Sequence, residues 1–180
     1  MSKRKQFIDT AIELFARNGY ESTSIQKLAD ACGVAQGLLY RHFKNKEALL
    51  AHLVQMGLAE IGSTLQPYGD PELNFKEAFK KHVQLCCNQL QSSPLLWKIL
   101  HSVRQNSELM AAVGLDADIT EIAKLIMLKL EQDGYSQPKT TALMIIALID
   151  GVTAMHLLHP AAYPLAEVEQ FLLQKIDSYE

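Results

Sequence analysis

The 180-residue chain predicts an all-α protein. Three observations carry that expectation. Alternating Val/Ile/Thr runs are almost absent, and no Asn-Gly turn joins two such runs. Apolar residues recur at helical spacing from one end to the other. Composition, with 48% apolar and 21% charged residues, is that of a soluble globular protein rather than a fibrous or disordered one.

The elements follow in order. Residues 3–18 carry an i, i+4 stripe of Phe7, Ala11 and Phe15, widened by Ile8, Ile12 and Leu14. Asn18-Gly19 stops this helix, because glycine takes the left-handed cap conformation at little steric cost. A second helix starts at Thr23 or Ser24, both good N-caps, turns Ile25, Leu28, Ala29 and Cys32 inward, and ends at Gly33. A third, short helix spans 35–42, and a fourth runs from Asn45, another N-cap, over 45–64. The Pro/Gly-rich stretch QPYGDPE is a linker. Helices over 72–90 and 95–104 are separated by Gln91-Ser92-Ser93-Pro94, with Pro94 suited to a first helical turn. A short piece at 107–113 precedes two apolar helices, 116–133 and 138–158, and 165–179 closes the series.

Several function classes fall away. Segment 140–158, TTALMIIALIDGVTAMHLL, nearly has the length of a membrane span, but it contains Asp150, Gly151 and His156. It reads as a helix buried in protein or in a subunit interface, with no membrane partner. The basic start MSKRKQ is followed by an amphipathic stretch, so no signal peptide is expected. Cys32, Cys86 and Cys87 make no disulfide framework, which predicts a reduced, cytoplasmic protein. No nucleophile–base arrangement, Gly-rich phosphate loop or paired-carboxylate motif is present, so an enzyme is not expected, and neither is a cofactor. Net charge is −3, but residues 1–50 hold eight Lys/Arg against five Asp/Glu, so +3, leaving −6 on the rest. A basic third on an acidic body implies two jobs, divided as domains 1–48 and 49–180.

The stretch GVAQGLLYRHFKNKEALL holds two oddities. Gly37 sits inside the shortest helix, and Lys44 and Lys46 flank Asn45 at a helix start, where negative charge is preferred. Helices 23–32 and 35–42, joined by a glycine turn, form a helix-turn-helix pattern, whose second helix enters the DNA major groove. Residues 8–50 resemble the N-terminal domain of the tetracycline-repressor (TetR) family of transcriptional regulators. The matching residues include Ala11, Phe15, Gly19, Tyr20, Thr23, Ser24, Ile25, Leu28, Ala29, Gly33, Val34, Gly37, Leu39, Tyr40, Phe43, Lys46, Glu47 and Leu50. The resemblance implies a DNA-binding set of Thr23, Ser24, Ala35, Gln36, Gly37, Leu38, Tyr40, Arg41, His42 and Lys46. Gln36 has the geometry for adenine and Arg41 for guanine or phosphate. For Thr23 and Ser24 a purely capping role stays open. For Lys3, Arg4 and Lys5, a DNA-contacting arm and a plain tail are both open. Two positions depart from the family: Ala35 stands where Ser or Thr usually caps the recognition helix, and Gln36 where Lys is common.

The resemblance also implies a homodimer on palindromic, double-stranded operator DNA, with a small-molecule effector that releases it. Residues Ile119, Ile122, Ile126, Leu143, Ala147, Gly151 and Met155 are the expected dimer interface. Phe79, His82, Val83 and Cys86, with Trp97 and His101, are the expected effector pocket, suited to an apolar or aromatic ligand; for each of them a plain core role stays open. The function expected is that of a ligand-responsive regulator, as a repressor. Two alternatives remain: a metal- or redox-responsive regulator using His82/Cys86, or a helical interaction module that has lost DNA binding. His82 and Cys86 are at i, i+4, but no third ligand accompanies them, so no metal site is expected.

Overall fold

The computed structural model of the protein describes residues 2–114 and 119–176, Ile119 by its backbone alone. Its helices are α1 Lys3–Asn18, α2 Ile25–Ala31, α3 Gln36–Tyr40, α4 Lys46–Leu65, α5 Phe75–Ser92, α6 Pro94–Arg104, α7 Ser107–Ala112, α8 Ile119–Gln132, α9 Pro138–Leu158 and α10 Leu165–Lys175. A 3-10 turn at Gln66–Gly69 follows α4. No strand occurs among the described residues, and the all-α expectation holds.

Local chemistry explains the boundaries. Gly19 and Gly33 end α1 and the α2 turn at positive φ, 84° and 64°. Ser24 Oγ accepts from the Lys27 N–H at 3.1 Å, and Asn45 Oδ1 accepts from the Ala48 N–H at 2.8 Å. Lys3–Lys5 form the first turn of α1, not an arm or a tail: Lys5 is bound to Asp9 at 2.8 Å. α3 is shorter than expected and Arg41 and His42 lie in the turn after it, where the Phe43 N–H returns to Leu39 O at 3.0 Å. α5 starts three residues later than expected because Asn74 and Glu77 form a reciprocal capping box, at 2.9 and 3.0 Å. The expected first residues of α8, 116–118, and the expected end of the last helix, 177–179, lie outside the described residues.

The chain divides into two compact units, Met1–Leu58 with Ser93–Asp116, and Ala59–Ser92 with Ala117–Glu180. In the first, Phe7, Leu28, Leu39, Leu49, Leu50 and Leu53 are almost fully buried and form the core beneath α3. α4 and α6 approach closely at Gly57, where a Cβ would meet Leu100 Cδ2 at 3.1 Å. In the second, α8 packs on α9 and α5 on α10, and Phe75, Phe79, Ile126 and Leu130 are buried. The buried Lys129 donates to Asp70 O at 2.9 Å, which ties α8 to the turn before α5.

By length and mean hydropathy alone, Lys46–Gly69 and Pro138–Leu158 are each able to cross a bilayer. α4 instead turns Leu49, Leu50, Leu53 and Val54 into the protein core. α9 differs, since only 22% of its most apolar window is buried, and a large apolar surface is left outward.

Candidate nucleic-acid interface

α3 is held from beneath and bare on top. Leu39 is fully buried and pins the helix to the core. Ala35, Gly37, Tyr40, Arg41 and His42 are exposed, and Gln36 and Leu38 are half-buried. Tyr40 is 48% exposed, which is unusual for a large aromatic with no partner to cover it. The expected site residues at 35–42 are thus all at least partly open to solvent. Ala35 occupies the N-cap in extended conformation without any side-chain hydrogen bond, so the α3 amide groups at this end are uncapped by a side chain.

Gly37 has open space around the position a Cβ would take, and its φ is not positive. Nothing in the chain itself requires glycine there. A helix of five residues accepts a residue that costs about 1 kcal/mol against Ala, on the face that looks outward.

Thr23 is placed differently from its neighbour. It is fully buried, and its hydroxyl donates to Gly19 O at 2.9 Å. It closes the end of α1 and has no outward face, which corrects the expected DNA contact of Thr23 to a structural role inside the chain. Ser24 is exposed, and its Oγ caps α2.

Lys46 is half-buried and engaged. Its Nζ donates to Tyr20 O at 3.0 Å and lies 3.9 Å from the centre of the Tyr20 ring. Tyr20 in turn donates from its hydroxyl to Glu47 Oε1 at 3.2 Å and packs edge-on against Phe15. Burial first, and the Glu47 carboxylate second, push the Tyr20 phenol well above its ordinary range, so it stays a neutral donor. This clamp goes beyond the contacts expected from the sequence. Its signal was present, as an aromatic directly after the Asn18-Gly19 stop and a Lys-Glu pair at the next long helix start.

The other expected sites are distributed as follows. Phe79, His82, Val83 and Cys86 are buried on α5 in the second unit. Trp97 is buried and His101 half-buried on α6 in the first unit. His82 Nδ1 lies 3.0 Å from the Tyr68 hydroxyl, and burial brings the His82 imidazole down to about 4. The Cys86 thiol is pushed up to about 11 by burial, partly offset by a hydrogen bond from Thr64. A neutral, engaged histidine beside a protonated thiol is a poor metal pair and a poor redox sensor. Among the described residues, no three His, Cys, Asp or Glu side chains cluster as metal ligands.

On α9, Leu143, Ala147, Gly151 and Met155 are all exposed and recur every four residues, so they form one continuous stripe. Ile122 on α8 is half-buried. Ile126 is a correction to the expected interface: it is fully buried within its own chain, and its side chain reaches no surface. The Ile119 side chain lies outside the described residues.

Known proteins agree with this picture. Residues 7–53 match the model of the family described as bacterial regulatory proteins, tetR family. The fatty acid metabolism regulator protein of Bacillus subtilis (strain 168) is 47% identical over 59 residues, covering 33% of this chain and 30% of that protein. The probable acrEF/envCD operon repressor of Escherichia coli (strain K12) is 30% identical over 116 residues, covering 62% and 53%. Relatives matching at 46 to 50% identity are covered over only 17 to 30% of their own length. The solved structure of the transcriptional regulator FadR from Bacillus subtilis in complex with stearoyl-CoA superposes with a TM-score of 0.73 at 22% identity, over 97% of both chains. That likeness shows a shared fold along the whole chain. The resemblance read from residues 8–50 is thereby borne out.

Proposed function

Taking the N-terminal domain as a tetR-family domain, we propose that the protein is a cytoplasmic transcriptional repressor. It holds palindromic operator DNA as a homodimer and releases it when an apolar effector binds the helical body. The observation that carries this reading is the outer surface of α3. It presents exposed Tyr40 and a Gly37 that nothing in the chain requires over a fully buried Leu39, with exposed Arg41 in the turn that follows. Residues 1–48 read the DNA; residues 49–180 dimerise and sense. Tyr40 and Lys46 address phosphate, Gln36 and Arg41 address base edges, and Ser24 offers a helix start to a phosphate oxygen.

The dimer is supported by α9. A stripe of Leu143, Ala147, Gly151 and Met155 needs cover, and Gly151 permits a close helix approach. One recognition helix reads too few base pairs for specificity, so two-fold symmetry completes the reader. Repression is supported by the operon repressor among the relatives, and an apolar effector by the acyl thioester bound to a protein of the same fold.

The test is binding to operator fragments selected from a random duplex pool. Affinity falls steeply with salt, and Tyr40→Ala with Arg41→Ala removes binding while the circular dichroism spectrum is kept. Salt-independent binding, or a double variant that binds as the parent does, refutes the assignment of α3.

A further inference from the structure

The basic side chains of residues 1–50 fall into two groups. Lys5 and Arg17 are paired with acids on their own helix, Asp9 at 2.8 Å and Glu13 at 3.1 Å. Lys3 donates to Gln6 Oε1 at 3.1 Å, Lys27 to Ser22 O at 2.9 Å and Lys46 to Tyr20 O at 3.0 Å. Each of these has an acceptor inside the chain. Arg41 and Lys44 are exposed and, among the described residues, have no hydrogen bond, ion pair or ring contact. Arg4 is also exposed and also lacks an acceptor there; its guanidinium lies 5.2 Å from the centre of the Phe43 ring.

The three cations without acceptors meet at one place. Phe43 stands between Arg41 and Lys44 in the turn after α3, and Arg4 sits on its ring. Phe7 packs against His42, with ring centres 5.5 Å apart. The start of α1 is therefore seated on the turn that ends α3. His52 of α4 lies on the same Phe43 ring at 5.9 Å. Burial first, and the Arg4 guanidinium second, hold the His52 imidazole below its ordinary range, so at neutral pH no second cation opposes Arg4. Glu47, the nearest acid in sequence to Lys44, is turned to the Tyr20 hydroxyl.

We propose that Arg4 and Lys44 are contacts to the phosphate backbone of the operator, extending the grip of α3 along one strand. The proposal rests on residues 1–48 being the DNA reader. Three features select a duplex backbone as the partner. Exposed cations without an internal anion release counterions when a polyanion covers them, whereas Lys5 and Arg17 are already neutralised. Lys44 follows Arg41 by three Cα steps, at most about 11 Å, which matches about three nucleotide steps of one strand. An ammonium and a guanidinium both suit phosphate oxygens, and Phe43 already holds the guanidinium of Arg4, which lowers the cost of ordering it.

The test is the salt dependence of binding to operator fragments selected from a random duplex pool. Lys44→Gln and Arg4→Gln should each reduce the slope of log affinity against log salt by about 0.9 per protomer, so by about 2 for a symmetric dimer. Both should weaken all bound sequences alike and leave the selected sequence unchanged. Lys44→Arg and Arg4→Lys, which keep the charge, should keep the slope, and Lys5→Gln should leave it as in the parent. Circular dichroism should be that of the parent throughout, since the changed positions are exposed. The proposal fails if either Gln variant keeps the parent slope, if Lys5→Gln lowers it equally, or if a charge-keeping variant loses it. A parent that binds steeply with salt, and whose slope the variants share, sinks this proposal alone. A parent that binds no operator sinks the regulator reading and this proposal with it.

Discussion

α3 and α9 both place on the surface what a helix in water does better without. On α3 these are a glycine, an uncapped start and an exposed tyrosine. On α9 they are Leu143, Met144, Leu148 and Met155, all at least 40% exposed. The difference between the two lies in directionality. The side chains of α3 carry hydrogen-bonding groups, and hydrogen bonds name a partner by where donors and acceptors stand. The surface of α9 is apolar, and apolar area says only that something must cover it. A local rule broken with polar groups identifies its partner. The same rule broken with methyl groups does not.

The largest effect should come from breaking the apolar side of this comparison. Leu143→Glu with Met155→Glu introduces charge on the α9 stripe, twice over in a symmetric dimer. Sedimentation should then show monomers with unchanged helicity, and operator affinity should fall at least about 1,000-fold. A double variant that stays dimeric removes the α9 stripe from the interface, and α9 then differs from α3 in having no partner at all.

The next largest effect separates the two units by pH. Burial lowers the His82 imidazole from 6.5 to about 4. The unfolded chain therefore binds a proton first as pH falls. The sign follows: stability is intact above 6.5, is lost as pH falls from 6.5 to about 4, and falls no further below that from this group. The loss is roughly 3 kcal/mol at its fullest. Urea unfolding at pH 7 and pH 4.5 measures it, and His82→Gln should flatten the difference. An equal pH dependence in that variant assigns the acid sensitivity to other groups.

How much was legible in the sequence follows the same division. Caps and stops act within four residues, so Gly19, Ser24, Gly33 and Asn45 could be read directly and set the limits of α1 to α4 within a residue or two. The Asn74/Glu77 box is equally local, and it starts α5 at Phe75, three residues after the expected 72. The placement of Thr23 was not legible. Ser24 beside it looks chemically alike, and only the packing of α1 against α2 buries one hydroxyl and exposes the other. Ile126 failed for the same reason. Helix α8 is apolar on several sides, and the sequence does not say which side its own chain covers. The groove lined by Phe75, Phe79, Ile145 and Ile176 joins residues 75 to 176, a separation across which periodicity carries no information.

Lys46 and Tyr40 give a smaller and sharper contrast within the first unit. Both should weaken operator binding when changed to Ala. Lys46→Ala also removes the donor to Tyr20 O and the cation over its ring, so thermal unfolding should occur earlier by an amount equivalent to about 1 kcal/mol. Tyr40→Ala, on an exposed position, should leave stability unchanged. If Lys46→Ala loses DNA binding at unchanged stability, the clamp on Tyr20 is incidental and the lysine serves the phosphate alone.

The smallest effects test why α3 is built poorly at all. Gly37→Ala meets no atom within 4 Å and no positive φ, so it should raise stability by up to about 1 kcal/mol. Ala35→Ser supplies the missing N-cap and should raise stability by a similar amount, about 1 kcal/mol. In the isolated chain the two changes are therefore equivalent. Against DNA they part. A methyl group at position 37 stands between the helix backbone and the duplex, so Gly37→Ala should weaken operator binding while it stabilises the protein. A hydroxyl at position 35 adds a donor at the same helix end, so Ala35→Ser should keep or strengthen binding. Equal retention of affinity in both variants would mean that Gly37 faces solvent in the complex. The surface of α3 would then owe its glycine to no partner, and the contrast with α9 would reduce to one of polarity.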